Sequence, residues 1–369
     1  MLTAFPLGVW LLFQFQTTQG LILALLGILS PIWGFLLYFG WGSSITAKIR
    51  MMGGSVLTIL IGTLIWLAPD GKPDQSSPIH HRYSNKGSFI RLSPFNIIPE
   101  IEQMNVGTKL LGPLDPFIDS EKADRLTTVT LDIYNEMEAD ENFKQLGSIM
   151  GVPMRQVAQI PYDNGHYFYY VPKSIEPDQP APVLIYLHGA GGSFKAYQWV
   201  WRDFAEANGF VIISPTFGFG TWPEPAGSTA VLRALNHAAT DGSVELDLQN
   251  VWLAGLSNGG LGTVHTAIAE PDLFQGLILI SPALPSRTMA QPDAPFNSTW
   301  RDRPVLLIHG EKDARMPMTY LNQHIGFMQT GGVQLDTILY EDEDHFLFFA
   351  KRDILMLQVG QWIEQQNNR

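Results

Sequence analysis

The chain contains no cysteine. That excludes disulfides, thiolate-held zinc, iron–sulfur clusters and a thiol nucleophile. Acidic residues are missing from positions 1–68, where the only charged side chains are Lys48 and Arg50. All 35 acidic residues lie further on, and the formal net charge of the whole chain is −12. So acidic a body offers no basic face to phosphates, and nucleic acid is not an expected partner. No Gly-Lys-Ser/Thr follows any glycine-rich stretch, which argues against a phosphate-cradling loop. Internal repeats and low-complexity tracts are absent as well.

What the first segment has instead is apolar length. "LILALLGILSPIWGFLLYFG", 21–40, runs twenty residues without a charge, and "MMGGSVLTILIGTLIWLA", 51–68, runs eighteen. At 1.5 Å per helical residue, each is about long enough to cross roughly 30 Å of hydrocarbon. Pro31 is tolerated in such a helix, and the rings of Trp41 and Trp66 suit an interface. A cleaved signal peptide fits less well, because no positive charge precedes the apolar run and a second run follows it. Residues 1–68 therefore read as a membrane segment, with the lipid bilayer as partner and spans at about 21–40 and 51–68. Lys48 and Arg50 lie in the short connection, which the positive-inside rule places in the cytoplasm. The remainder is then expected on the other side, periplasmic or extracellular. The apolar stretch 4–15 is short, and reads as an interfacial helix or a marginal third span.

Residues 69–88, "PDGKPDQSSPIHHRYSNKGS", are rich in Pro, Gly, Ser and charge, and read as an exposed linker. Residues 89–150 form a partly helical extension: Asp119 or Ser120 is a plausible helix cap, and Leu126, Val129, Ile133 and Met137 recur at helical spacing. From 151 to 369 the pattern alternates. "VAQIPY" and "HYFYYVP" read as an antiparallel pair turning at 163–165. Short apolar strands then follow at 182–189, 210–215, 251–257, 276–282, 304–310 and 335–341. Helical stretches separate most of them, at 196–208, 227–240, 259–270, 317–330 and near 350–366. Continuous apolar strands joined through helices predict an α/β fold, a mostly parallel sheet with helices on both faces.

Such sheets hold ligands at the carboxyl ends of their strands. "VWLAGLSNGGLG", 251–262, puts Ser257 where a strand ends and a helix begins, between Gly255 and Gly259. Side chains at those two positions would crowd a sharp turn, so the glycines leave space for a serine exposed at the elbow. A serine hydroxyl needs a base, and the base needs an orienting group. "EKDARMP" after the strand at 304–310 offers Asp313, with Glu311 as fallback, and "EDEDHFLFF" after the next strand offers His345. Taken singly, Asp313 is also a turn or capping residue and His345 also a loop histidine. Their order after successive strands favours a Ser257–His345–Asp313 triad. Glu341, Asp342 and Asp344 read as a solvated acidic loop rather than a cation site.

An attacked ester carbonyl becomes an oxyanion and needs backbone donors. "LHGAGGS", 187–193, supplies a glycine-rich loop: Ala190, or alternatively Gly191, and Asn258 are the expected oxyanion-hole amides, with His188 bracing the loop. Phe217, Phe219 and Trp222 in 216–227 are candidate aromatic walls for the substrate, or else packing residues. No metal or other cofactor is called for.

Together "LHGAGG", "GLSNGG", "HGEKDARMP" and "EDEDH" resemble the α/β-hydrolase superfamily over roughly 155–366. Within it the short spacing is similar to dienelactone hydrolases, feruloyl esterases and polyester-depolymerase-like esterases, and to the catalytic domains of prolyl-oligopeptidase-type peptidases. The resemblance implies an eight-stranded, largely parallel sheet, hydrolysis through an acyl-enzyme, and a triad of Ser257, Asp313 and His345. It says nothing of residues 1–150. The expected function is a membrane-anchored serine carboxylesterase acting on small or polymeric esters. The alternatives are a serine peptidase or acyltransferase on the same triad, and an inert binding protein on the same fold.

Overall fold

A computed structural model of the chain describes residues 4–39, 44–159, 165–175, 179–240 and 243–368. Two units emerge, and the chain passes between them more than once. The first comprises Met1–Gly71, Ile90–Glu138 and Gly147–Gly151; the second comprises Lys72–Phe89, Ala139–Leu146 and Val152–Arg369.

The first unit is helical. The apolar segment forms α1 (Ala4–Gln14), α2 (Thr18–Phe39) and α3 (Ser44–Leu67), of which Thr18–Tyr38 and Ala47–Leu67 are long and apolar enough to cross a membrane. Short α4 (Pro94–Ile97), then α5 (Glu100–Leu114) and α6 (Ser120–Glu138) complete the set. The chain breaks between α1 and α2 because other groups take up its free amides. Glu102 of α5 is fully buried and accepts from the Gln16 N–H at 2.8 Å and the Thr17 N–H at 2.6 Å, and the Thr17 hydroxyl caps Gly20 N–H at 3.0 Å. In α6, Asp119 accepts the Lys122 N–H at 2.9 Å, which fixes the start. Its buried stripe runs through Leu126, Thr130, Ile133 and Met137, with Val129 only half-buried.

The second unit is built on an eight-stranded sheet in the order β1-β2-β4-β3-β5-β6-β7-β8. The strands are β1 (Ile79–Tyr83), β2 (His166–Tyr170), β3 (Ala181–Leu187), β4 (Val211–Pro215), β5 (Leu246–Leu256), β6 (Gly276–Ile280), β7 (Pro304–Gly310) and β8 (Gln334–Tyr340). Only β2 runs against the rest, since it pairs antiparallel with both β1 and β4 while all other pairs are parallel.

Alternation along the strands sends side chains into two layers. Val183, Ile185, Leu187, Val251 and Leu253 share one core with residues of α10 (Ala226–Thr240), α11 (Gly259–Ala269) and α14 (Met318–Gly331). Tyr186 and Trp252 point the other way. Tyr186 meets Trp201 of α9 (Lys195–Asn208) at 5.4 Å between ring centroids, and Trp252 meets Trp362 of α16 (Arg352–Asn367) at 5.5 Å. Continuous apolar strands are thus buried on both faces, as parallel sheets require. These helices agree with the sequence reading within two residues at each end. Two further short helices, at Ser286–Met289 and Pro295–Thr299, follow β6.

Two expectations change. The segment 69–88 is not an exposed linker throughout, because Ile79–Tyr83 pairs along β2 as the outermost strand. Ile79 and His81 face inward there, and a histidine in an apolar slot hid the strand's alternation. Nor is "VAQIPY" the partner of β2. A helix over Gly151–Val157 ends inside it, and residues 160–164, with most of the expected turn at 163–165, lie outside the described residues.

The bend after β5 depends on close backbone approach. A Cβ on Gly259 would run into the Leu187 carbonyl oxygen and come within 2.8 Å of its carbon; one on Gly255 would strike the Gly259 carbonyl. Backbone on both sides leaves no flexible tip to yield. Gly259→Ala is therefore expected to destabilise the second unit by about 3 kcal/mol, read as a fall of roughly 6–12 °C in melting temperature. An unchanged melting curve would show that this contact does not hold the elbow.

Candidate active site

Ser257 stands at that bend with φ +51°, a left-handed conformation unusual for any residue but glycine. Its backbone is held from three sides: its N–H donates to the Ile280 carbonyl at 2.9 Å, and its carbonyl accepts from Gly260 at 2.8 Å and Ala283 at 2.9 Å. Strain of this kind, of order 1–3 kcal/mol, persists only where the surroundings impose it. It lifts the side chain out of the sheet, and Ser257 is half-buried rather than enclosed.

Its Oγ lies 2.9 Å from Nε2 of His345, and Nδ1 of His345 lies 2.7 Å from Oδ2 of Asp313. The three side chains come from loops after β5, β8 and β7. The β7 and β8 loops are tied together, with Glu311 N–H on the Tyr340 carbonyl and Lys312 N–H on the Glu343 carbonyl, each at 2.9 Å. Asp313 is buried, and its other oxygen accepts the Arg315 and Met316 amides at 2.8 and 3.0 Å. Burial pushes its carboxyl up, but the His345 hydrogen bond and charge, with the Met316 amide, outweigh burial and hold it below the ordinary carboxylate range. An ionised Asp313 keeps the His345 proton on Nδ1 and leaves the Nε2 lone pair facing the serine. Glu311, the fallback acid, is exposed. His309 is buried and donates from Nε2 to the Met316 carbonyl at 2.9 Å, bracing the loop that carries Asp313.

The glycine-rich loop follows β3. Gly191 N–H donates to the Phe219 carbonyl at 3.1 Å, so that amide is already engaged. Ala190 is exposed, and neither its amide nor that of Asn258 donates to any partner among the described residues. His188 is buried within the loop. Its Nδ1–H donates to the Gly189 carbonyl at 2.8 Å and its Nε2 accepts the Phe217 N–H at 3.1 Å, which fixes a neutral ring. Burial lowers its pKa to about 4.

Phe217 and Trp222, expected as aromatic walls, prove to be packing residues. Trp222 is 0% exposed, and Phe217 3%, inside the core shared with α10 and α11. Their rings stack at 5.2 Å, and the Trp222 indole donates to the His188 carbonyl at 2.9 Å. They support the glycine-rich loop from beneath, because the 216–222 segment folds into the sheet's end instead of around a mouth. Phe219 alone of the three rings is half-buried. Sequence reasoning also missed His81, His166 and Thr216, which form a buried chain leading toward this loop; no local pattern signals it, since the three lie on separate segments. The acidic run after β8 is dispersed onto its own partners, Asp342 with Lys312 at 2.7 Å and Glu343 with Lys351 at 3.3 Å.

Residues 230–347, which include Ser257, Asp313 and His345, match the phospholipase/carboxylesterase family model. No curated protein matches the sequence. Among solved structures, a thermostable esterase shares 20% identity over 54% of this chain and 58% of its own, little more than half its length, with a TM-score of 0.44. A hyperthermophilic esterase from the archaeon Pyrobaculum calidifontis shares 18% over 55% of this chain and 81% of its own, with a TM-score of 0.44. The Francisella virulence factor BioJ shares 14% over 69% of this chain and 98% of its own, with a TM-score of 0.45. The part of this chain that runs from within α10 through His345, with its strand–turn–helix elbow, is thus similar to the phospholipase/carboxylesterase family.

Proposed function

We propose that this protein is a membrane-anchored serine carboxylesterase that works through an acyl-enzyme. One observation carries the reading: an unbroken relay from Ser257 Oγ to His345 Nε2 at 2.9 Å and from His345 Nδ1 to Asp313 at 2.7 Å. His345 takes the serine proton as Oγ attacks the ester carbon. The carbonyl π electrons move onto oxygen, and the Ala190 and Asn258 amides receive that charge. As the tetrahedral species collapses, the C–O bond to the alcohol breaks and His345 returns the proton to the leaving oxygen. Water then repeats the sequence on the acyl-serine, releasing the acid and regenerating Ser257. Asp313 stays ionised and stabilises the imidazolium in both halves.

Anchoring rests on α2 and α3. Only 17% and 6% of their apolar windows are buried, unlike core helices of a soluble body, and Phe35, Ile59 and Trp66 are each more than half exposed. Lys48 and Arg50, near the start of α3, orient that end toward the cytoplasm and the hydrolase unit away from it.

A fluorophosphonate probe applied to the full chain tests the whole reading. Alkali-washed membranes are expected to retain the protein, with the label mapped to the Ser257 peptide, and an impermeant probe is expected to label it in spheroplasts. A folded protein without label ends the esterase. Label in the washed-off fraction ends the anchor, and label only after lysis reverses the orientation.

A further inference from the structure

Three buried side chains from three segments of the second unit form a directed chain. His81 of β1 lies with Nε2 2.5 Å from the Leu146 carbonyl and Nδ1 2.8 Å from Nε2 of His166; Nδ1 of His166 lies 2.8 Å from the Thr216 hydroxyl. A carbonyl only accepts, so His81 carries its proton on Nε2. Its Nδ1 is then an acceptor, and His166 must donate from Nε2. That leaves His166 Nδ1 as acceptor for the Thr216 hydroxyl. Every role is fixed by the carbonyl at one end.

The chain stays uncharged. Burial lowers His81 to about 4, and burial likewise holds His166 well below its ordinary value. The charged or titratable groups that act on the pair, Lys195 of α9 and His80 of β1, both oppose a further positive charge. Phe89, Phe168 and Tyr83 contribute rings around it.

Thr216 is where the chain meets the chemistry. It is fully buried, and its own N–H donates to the His166 carbonyl at 2.9 Å, so His166 grips it twice. The next residue, Phe217, gives its N–H to His188, and the segment onward to Trp222 interlocks with the glycine-rich loop through the Gly191–Phe219 and Trp222–His188 hydrogen bonds. We propose that His166, backed by His81, is a positioning residue for ester hydrolysis: through Thr216 it sets the 216–222 segment, and so places the Ala190 amide that meets the oxyanion. The inference rests on the serine-esterase reading above.

The test uses full-length protein in detergent, with ester turnover divided by the number of sites that a fluorophosphonate titrates. Thr216→Val keeps the shape and removes the hydroxyl that His166 accepts. It is expected to lower kcat per titrated site about 10-fold with KM within about twofold, because a displaced oxyanion donor weakens only the transition state. Thr216→Ser, which restores the hydroxyl, is expected to recover most of the loss. A variant that merely unfolds in part would lose titratable sites and keep kcat per site. Should Thr216→Val not fold, His166→Asn, whose side-chain oxygen stands near Nδ1, is expected to exceed His166→Gln in kcat per site by several-fold. Wild-type kcat in Thr216→Val, a change confined to KM, or equal loss in the Ser and Val variants overturns the proposal. If wild-type protein takes no label, the esterase reading falls first; if it is labelled and Thr216→Val is unimpaired, only this inference falls.

Discussion

Ser257→Ala should lower ester turnover by at least roughly 10^4-fold, the order expected when the nucleophile of an acyl-transfer triad is removed. Alanine tolerates the left-handed φ of +51° about as well as serine does, so the elbow keeps its shape. What disappears is the oxygen 2.9 Å from His345 Nε2, and with it the covalent route. The Ala190 and Asn258 amides, which donate to no partner among the described residues, remain in the variant, and under the proposed mechanism they leave residual turnover above the uncatalysed rate. Hydrolysis of a p-nitrophenyl ester, with a thermal melt of both proteins, measures this directly. Equal melting with undiminished turnover would move the nucleophile to another residue.

Asp313→Asn should cost about as much, roughly 10^4-fold in kcat, without loss of fold. The reason lies in the second oxygen of the carboxylate. Oδ1 accepts two backbone amides, from Arg315 and Met316, which ties the asparagine oxygen to that side. The amide nitrogen must then face His345 Nδ1, 2.7 Å away in the native protein, where it donates rather than accepts. His345 responds by moving its proton to Nε2, which now points a hydrogen at Ser257 and cannot take one. Steady-state kinetics at pH 8, above the ordinary histidine range, isolates this effect from simple protonation. A loss smaller than about 10-fold would mean that another acceptor orients the imidazole.

The elbow was legible because its signals are local: an apolar strand, glycines two positions on either side of the serine, and small residues opening a helix. The convergence of Asp313 and His345 was legible for a related reason, since each follows a strand that sequence pattern alone identifies. β1 was not. Its register comes from pairing with β2, and His81 occupies an inward slot that an apolar residue would have advertised. Whether Phe217 and Trp222 face a substrate or a core depends on where the 216–222 segment folds, a tertiary matter that composition does not encode. That the Gly191 amide is engaged depends likewise on one carbonyl, Phe219, whose position no spacing reveals.

The order of strands also governs where the chain can be cut. The sequence reading starts the catalytic domain at residue 151, but a fragment cut there would lack Ile79–Tyr83, and β2 would become the border of the sheet. That strand reads "HYFYY", every residue of it buried in the intact protein. Bare aromatic edges recruit one another, so the shortened product is destined for inclusion bodies. Trimming at Lys72 instead removes the apolar helices and keeps β1 as the border strand that covers this aromatic edge.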